Sequence, residues 1–383
     1  MSATTGPLAG VRVIDFSTVV MGPYAAQILG DLGADVIKLE SPGDTLRHGP
    51  YRTTPGMSQL HLAVNRNKRN VALNLKDEAE HATALDLIDT ADILITNVRP
   101  GALARLGMDY SVIAERNPRL IYAHAQGFRS DSHLAGMAAY DETVQAASGL
   151  VDMANRVVGE PVFLPTILAD KVAALTIAQS VLAALVHRDR TGQGQHIEIP
   201  MTDTLLAFSL VEHLAGHTFE PPTGPTGFAL SLLKGHKAMP AKDGLAAIVP
   251  YTAQNFRDVF AAAGRPDLVT DPRLATDALD RADLEDLLAL VEQATPALTI
   301  AEWAEVCAKH SIPFGPVLDL EHAHEDQYVQ DGHLLDLVDH PTEGQIRSIG
   351  IPVRFSETPA SIRTQARIPG QDTAEVLAEL KGR

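Results

Sequence analysis

The sequence predicts an α/β protein with a large Rossmann-like, doubly wound domain and a smaller α/β domain. Three observations support this fold class. Short β-rich runs alternate with helical patterns through the first 200 residues, which is typical of a parallel sheet covered by helices. The first crossover carries start and stop signals for a helix. A Pro/Gly-rich stretch between about 217 and 240 then precedes a second α/β unit.

Each predicted strand of the large domain is a short apolar run bounded by turn or helix signals. The runs VRVIDF, DVIKLE and VALNLK occupy 11–16, 35–40 and 71–76, and DILITN, LIYAHA and HIEIPM occupy 92–97, 120–125 and 196–201. Helical patterns fill most of the intervals, so we expect a doubly wound sheet.

Two predicted helices have starts that bear on function. The first crossover, GPYAAQILGDLG, has Pro23 suited to the first helical turn and Gly33 suited to the exit. Its N-terminus faces the end of the first strand, and such ends attract anions. A long apolar helix, KVAALTIAQSVLAALVHRD, follows Asp170, so we expect Asp170 at a helix start.

The second unit begins with an extended stretch at 244–251 and continues through three helical segments to the IPFGPVLDL turn and strand. Beyond about 328, the strand-like GQIRSIGIPVRF precedes a short C-terminal helix, DTAEVLAELKG. The predicted segments are therefore 1–215, then 216–327 for linker and small domain, then 328–383.

The charge balance argues against two classes of partner. With 31 Lys and Arg against 48 Asp and Glu, the formal net charge is −17, whereas nucleic acid and anionic membrane surfaces require a broad basic face. Cys307 is the single cysteine, the first residues lack the pattern of a signal peptide, and no apolar run reaches the ~18 residues of a membrane span. We expect a cytoplasmic protein.

A basic segment interrupts this acidic chain. From Thr45 to Lys76 there is no Asp or Glu, and the segment holds Arg47, Arg52, Arg66, Lys68, Arg69 and Lys76. Two interpretations stay open: a solvated positive face, or an anion-binding shelf that Arg99 and Arg105 would join at the same edge of the sheet. The second would suit a ligand that carries phosphate.

Common catalytic and nucleotide motifs do not occur. No GxGxxG follows the first strand, and there is no GxxxxGK[ST], GxSxG or HExxH. His322 and His324 are not accompanied by a cysteine cluster, so we expect no metal.

Nine landmarks in order resemble the class III CoA-transferases, the CaiB/BaiF-like family, over essentially the whole chain. They are GVRVIDFSTVVMGPYAAQILGDLGADVIKLESPGD, NRNKRNVALNLK, NVRPGALARLG, NPRLIYAHAQGF, AAYDETVQAASG, LADK, HRDRTGQGQHIEIPMTD, DPRLAT and GIPVRFSETP. The resemblance implies an interlocked homodimer, with 328–383 returning to the large domain. It also implies acyl-CoA and carboxylic acids as substrates, with no permanently bound cofactor.

The resemblance makes Asp170 the nucleophile, because it lies 29 positions after the acidic residue of the Tyr140–Asp141 pair. The alternative role is a helix N-cap, which is compatible with the first. A carboxylate with a reference pKa of about 3.9 is ionised at pH 7 and can attack a thioester. We expect the helix N-terminus and nearby amides to hold it ionised.

For CoA binding, the resemblance implies the following residues: Val19, Val20, Leu73, Lys76, Asn97, Arg105, Tyr140 and Met201. Formyl-CoA transferases have glutamine, arginine and lysine where Val20, Ser41 and Ala138 stand here, so oxalate and formate are disfavoured as substrates. Arg47 or Arg66 would bind the phosphate that Ser41 cannot. Two alternatives remain: an α-methylacyl-CoA racemase, which places a histidine where Tyr140 stands, and a CoA-binding homologue without catalysis.

Overall fold

The computed structural model describes residues 5–41 and 49–382. The chain divides into two compact units. The first contains the described residues up to Leu150, then Phe163–Ser209 and the residues from Gln327 to 382; the second contains Val151–Val162 and Leu210–Asp326.

The first unit is built on a parallel sheet in the order β3-β2-β1-β4-β5-β6. Its strands are β1 (Arg12–Phe16), β2 (Asp35–Glu40), β3 (Lys68–Ala72), β4 (Ile93–Thr96), β5 (Ile121–Gln126) and β6 (Gln195–Pro200). From β1 the chain adds β2 and β3 on one side of the sheet and then β4, β5 and β6 on the other side. In sheets of this order, ligands bind at the strand ends where β1 and β4 meet. The predicted α/β, doubly wound fold is confirmed.

Helices cover both faces of this sheet. In chain order the helices up to residue 213 are α1 (Met21–Asp31), α2 (Gln59–Val64), α3 (Glu78–Asp89), α4 (Pro100–Arg105), α5 (Tyr110–Arg116), α6 (Asp141–Ala147), α7 (Leu150–Val158), α8 (Leu168–Thr191) and α9 (Met201–His213). Of these, α7 except its first residue, and the last four residues of α9, belong to the second unit. One apolar cluster packs α1 and α8 against the sheet, and a second packs α3 and α5 against the other face. Pro23 does lie in the first turn of α1, and Gly33 has a φ of 105° at its exit.

The second unit has its own small sheet and core. Its antiparallel strands are β7 (Met239–Ala241), β8 (Gly244–Ile248) and β9 (Phe314–Pro316), and its helices are α10 (Ala253–Ala262), α11 (Pro266–Val269), α12 (Arg281–Ala294) and α13 (Ile300–His310). Trp303 is fully buried in this core and donates its indole N–H to the Thr295 carbonyl at 2.8 Å.

The C-terminal part of the chain belongs to the first unit. It forms α14 (Gln327–Asp331), the hairpin β10 (Leu335–His340) with β11 (Gly344–Ile349), and α15 (Thr373–Lys381). Side chains and backbone of the final segment pair with the edge strand β3. The Asn70 N–H donates to the Asp372 carboxylate at 2.7 Å, and Arg69 bonds Glu379 of α15 at 2.8 Å.

Helix α8 has the length and composition of a membrane span, with a hydropathy of 1.5, and it alone does so within the described ranges. The absence of such a segment was predicted, so this helix is an exception to that prediction. More than half of its apolar window is buried, in the core beside α1. This burial is also what a core helix of a globular domain shows.

Candidate active site

A short loop, Ser17 to Val20, joins β1 to α1 at the carboxyl edge of the sheet. Val19 has a φ of 64°, a left-handed conformation that is strained for a β-branched residue and that persists only where neighbours enforce it. Asn97, just after β4, helps to hold the loop in this conformation. Its side chain accepts the Thr18 N–H at 2.8 Å and donates to the Thr18 carbonyl at 2.7 Å.

The loop places the N-terminus of α1 near Asp170. The backbone N–H of Met21, in the first turn of α1, lies close enough to the Asp170 carboxyl group to lower its pKa. Asp170 itself lies in the first turn of α8, as predicted, and is only 8% exposed. The anion that the N-terminus of α1 was expected to attract is therefore a side chain of the protein.

The ionisation of Asp170 differs from the expectation. Burial, together with the negative charges of Asp141 and Glu142, raises the pKa of Asp170 to about 6, and the Met21 amide opposes this rise only in part. Nearby amides therefore do not hold the pKa at its ordinary value. At pH 7 about nine-tenths of the carboxylate is still ionised, so it remains a competent nucleophile.

Asp141, the first residue of α6, caps the helix that carries Asp170. Its Oδ1 atom accepts the backbone N–H groups of Ala169 at 2.6 Å and Asp170 at 3.4 Å. The interpretation of Asp170 as the N-cap of α8 is therefore wrong, since Ile167 occupies the N-cap position and the side chain of Asp141 supplies the acceptor. A remote cap leaves the carboxylate of Asp170 available for chemistry.

Gln145, one turn further along α6, orders the segment that leads into α8. Its Oε1 accepts the Leu164 N–H at 2.9 Å, and its Nε2 donates to the Thr166 carbonyl at 3.2 Å and to the Asp141 carboxylate. Asp141 and Gln145 thus hold the two ends of this segment from one face of α6. This explains why a Tyr-Asp-x-x-x-Gln pattern lies at a set distance before Asp170.

A cleft of about 670 Å³ opens beside the same loop. Its walls come from the carboxyl ends of the first four strands and from the end of α4: Phe16, Ser17, Thr18, Leu39, Glu40, Ser41, Asn74, Leu75, Lys76, Val98 and Leu106. Ser17 and Thr18 line the cleft, and the amide of Met21, three residues after Thr18, lowers the pKa of Asp170. One loop therefore connects the cleft with the carboxylate.

The other residues proposed for binding occupy different environments. Lys76 lines the cleft and is exposed, as is Arg105 at the end of α4. Val20, Leu73 and Met201 are buried, and Tyr140, at the N-cap of α6, is 68% exposed. Arg47 lies outside the described residues.

Among the described residues of the basic segment, three cations are paired internally, while Arg52 and Lys76 are exposed. Arg66 is buried in an ion pair with Asp31 at 2.8 Å, Lys68 in one with Asp15 at 2.8 Å, and Arg69 pairs with Asp35 at 2.8 Å. Arg66 therefore cannot bind a phosphate in place of Ser41, because its guanidinium is committed to Asp31 and to the Ile349 carbonyl. The structure pairs these three residues internally, whereas Lys76 reaches the cleft.

Sequence reasoning missed three contributors: the Met21 amide, the Gln145 side chain, and the use of Asn97 to hold Thr18. Of these three, only Gln145 belongs to a sequence motif that could have revealed it, the motif that begins at Tyr140. Backbone donors such as Met21 carry no sequence signature. Across the described residues, 5–41 and 49–382, no cluster of three His, Cys, Asp or Glu side chains is arranged to hold a metal ion.

Comparison with known proteins extends the resemblance. The model of CoA-transferase family III matches residues 8–373. Acetyl-CoA:oxalate CoA-transferase of Acetobacter aceti is 36% identical over 323 residues, 83% of this chain and 82% of the relative. Formyl-CoA:oxalate CoA-transferase of Escherichia coli O157:H7 is 32% identical over 399 residues, 98% of this chain and 95% of the relative.

A solved structure agrees with these relatives. A CaiB/BaiF family protein from Brucella suis aligns with a TM-score of 0.86 at 28% identity, over 98% of this chain and 100% of that one. The match of the family model along nearly the whole chain, with two relatives above 30% identity, confirms the predicted membership. The chain belongs to CoA-transferase family III and is an enzyme of the CoA-transferase type.

Proposed function

We propose that this enzyme transfers CoA from an acyl-CoA to a carboxylic acid through covalent intermediates on Asp170. The observation that carries the proposal is a buried carboxylate in the first turn of α8, packed near the N-terminus of α1 and one loop away from a cleft at the carboxyl edge of the sheet. A largely desolvated carboxylate is a stronger nucleophile than a hydrated one, and its pKa of about 6 keeps it ionised at neutral pH.

The proposed first half-reaction has two steps. A carboxylate oxygen of Asp170 attacks the thioester carbonyl, the carbon–sulfur bond breaks, and CoA leaves as the thiolate with a mixed anhydride on Asp170. The thiolate then attacks the aspartyl carbonyl of this anhydride, which releases the donor acid as a carboxylate and leaves an aspartyl-CoA thioester.

The second half-reaction repeats these steps in reverse with the acceptor. The acceptor carboxylate attacks the aspartyl thioester, and the thiolate that departs attacks the acceptor carbonyl, so the new acyl-CoA leaves and Asp170 is regenerated. No net proton moves in the cycle, which suits a site whose main group is a single carboxylate. Burial of Asp170 supports the exclusion of water that an anhydride needs.

The Met21 amide has a second proposed role. A backbone N–H that lowers the pKa of Asp170 in the resting enzyme lies close to the oxygen that becomes negative when thiolate attacks the aspartyl carbonyl. Fixed donors at such a position stabilise the tetrahedral intermediate without reorganisation. The positive end of α1 adds to this effect.

For the CoA moiety, we propose the cleft beside Lys76. Lys76 and Arg105 would contact phosphates, and Asn97 would act by holding the loop that lines the cleft. Val19, Val20, Leu73, Tyr140 and Met201 would contact the remaining parts of the thioester. Arg47 would bind the phosphate that Ser41 cannot.

For the acyl group, we propose an acid less polar than oxalate. Val20, the N-cap residue of α1, has an apolar side chain that cannot hydrogen-bond a second carboxylate. The two relatives above are named for oxalate, so the question is open to direct measurement. We also propose a cytoplasmic enzyme that works as an interlocked homodimer.

The test is covalent trapping. Purified enzyme is incubated with a panel of acyl-CoA donors, from oxalyl-CoA to medium-chain acyl-CoA, quenched with hydroxylamine, digested and analysed by mass spectrometry. We expect a hydroxamate on the peptide that contains Asp170, and acyl exchange with added carboxylates. Asp170→Ala should abolish both, while Asp189→Ala, an exposed acid on the same helix, should leave both intact.

Two results would overturn the proposal. Exchange that persists in Asp170→Ala excludes Asp170 as the nucleophile. Incorporation of deuterium at the α-carbon of a 2-methylacyl-CoA, without exchange of acids, would instead identify a racemase.

A further inference from the structure

Three buried charged side chains lie side by side under the loop that positions Met21. Asp15 of β1, Lys38 of β2 and Lys68 of β3 are 0%, 1% and 2% exposed, and Asp15 is the register partner of Lys38. We call these three residues the buried charge cluster. Nothing in the proposed reaction uses them, although ions so fully removed from water are costly unless they are paired.

Each lysine of the cluster bonds a backbone carbonyl at one end of the segment Ser17–Pro23, which contains the loop and the first turn of α1. Lys38 donates to the Ser17 carbonyl at 2.6 Å, and Lys68 donates to the Pro23 carbonyl at 2.7 Å. The other two donors of Lys68 are taken by Asp15 and Asn65, each at 2.8 Å, so its ammonium is fully satisfied. Asp15 also accepts the Ser17 hydroxyl.

The segment between these two anchors contains the strained residue and the functional donor. Val19, with its φ of 64°, and Met21, whose amide lowers the pKa of Asp170, both lie between Ser17 and Pro23. Asn97 fixes Thr18 within the same span. Gly22 completes the packing, because a methyl group there would overlap with the Ser17 side chain.

We propose that the buried charge cluster is a positioning device that aims the Met21 amide at Asp170 and thereby sets the ionisation of the nucleophile. This rests on the role proposed for Asp170. A cluster that only stabilised the fold would need its charges paired and its donors satisfied, but not by two carbonyls that bracket the loop and the first turn of α1. The groups that act on Asp170 are Asp141 and Glu142 from α6 and the Met21 amide from α1; Glu40 acts on Lys68 within the cluster.

The test removes one charge of each sign from the cluster. The double variant Asp15→Asn/Lys68→Met deletes the Asp15–Lys68 ion pair and the bond to Pro23, while Lys38 keeps its bond to the Ser17 carbonyl and loses the carboxylate 3.7 Å away. Its matched control is Asp31→Asn/Arg66→Met, which deletes another buried ion pair at the opposite end of α1. Lys38→Met, which keeps the Asp15–Lys68 pair, takes the place of the double variant if that protein does not fold.

Two readouts separate positioning from stability. The first is the titration of Asp170, followed by pH-dependent carbodiimide labelling; the second is hydrogen exchange at the Met21 amide. In the cluster variant we expect the titration midpoint to rise by about 0.5–1 pH unit, because the Met21 interaction that lowers it is weakened, and the Met21 amide to exchange at least about tenfold faster. The value of kcat should fall about 10- to 100-fold, with a smaller change in KM.

An Asp170 midpoint and a Met21 exchange rate equal to those of the control variant would overturn the inference. Both measurements use the resting enzyme. They therefore stay informative if wild-type enzyme forms no covalent adduct, a result that would reject the proposed function separately.

Discussion

The carboxylate of Asp141 accepts the backbone N–H of Asp170 at 3.4 Å while its negative charge raises the pKa of the Asp170 side chain. One residue therefore stabilises the helix that carries the proposed nucleophile and makes the Asp170 side chain easier to protonate. The two effects can be separated, because the first depends on an acceptor atom and the second on a charge.

The rate of covalent adduct formation should depend on pH with a midpoint of about 6, set by Asp170. Below that pH the carboxyl group is protonated and cannot attack, so kcat/KM should fall about tenfold per pH unit. The measurement is rapid-quench mass spectrometry between pH 4.5 and 8. A profile that stays flat down to pH 5 would contradict the assignment.

Asp170→Asn should make the protein more stable at pH 8. Because the folded-state pKa of about 6 lies above the ordinary value of 3.8, the ionised side chain opposes folding. The stability that the protonated side chain contributes below pH 3.8 is lost as pH rises through 6. We expect a gain of about 1–3 kcal/mol in the free energy of unfolding at pH 8, shrinking as pH is lowered toward 4. Urea unfolding at several pH values measures it.

The control for this experiment is Asp189→Asn, which neutralises an exposed acid on the same helix. It should change the free energy of unfolding by less than about 0.5 kcal/mol. An equal gain from both substitutions would point to general charge reduction in an acidic chain.

Asp141→Asn should move the acid limb of the rate profile to lower pH. The amide oxygen can still accept the Ala169 N–H, but the charge that raises the pKa of Asp170 is gone. Asp141→Ala should also remove the cap and cost about 1 kcal/mol in the free energy of unfolding. Glu142→Gln should shift the limb in the same direction by less, and a shift to higher pH in Asp141→Asn would contradict this account.

Lys76→Ala and Arg69→Ala should have opposite profiles. Lys76 lines the cleft, so its loss should raise KM for acyl-CoA several-fold and leave the free energy of unfolding nearly unchanged. Arg69 pairs with Asp35 and Glu379, so its loss should lower the free energy of unfolding by about 1–3 kcal/mol and leave KM nearly unchanged. Steady-state kinetics and urea unfolding of both variants test these two expectations. A raised KM in Arg69→Ala would contradict them and indicate that Arg69 binds an anionic group of the substrate.

Local pattern predicted most of the large domain. Five of the predicted strands agree with the structure to within a residue or two, because apolar runs flanked by turn residues leave little choice. The third strand was placed too late, at 71–76, whereas β3 is Lys68–Ala72. Its first residues are charged, and they enter the sheet only because Asp15, Asp35 and Glu379 pair with them. Those partners are remote in sequence, so no local pattern could reveal the strand's start.

The candidate site was predictable to the level of one motif. The family motif, with its 29-residue spacing from Asp141, singled out Asp170 as the proposed nucleophile, and its predicted position at the start of a helix is confirmed. The shift of its pKa was not predictable, since it arises from burial and from a charge that folding brings near. The same applies to the basic segment, where only tertiary contacts distinguish Lys76 from the internally paired Arg66 and Arg69.

The pairing of β3 with residues near the end of the chain has a consequence for biosynthesis. Asp372 and Glu379 complete the hydrogen bonds and ion pairs of Asn70 and Arg69, more than 300 positions upstream. A ribosome must therefore release almost the entire polypeptide before the first sheet can close its outer edge. During translation that edge is exposed to chaperones and to neighbouring nascent chains, and shortening the final helix should reduce the yield of folded enzyme more than its catalytic rate.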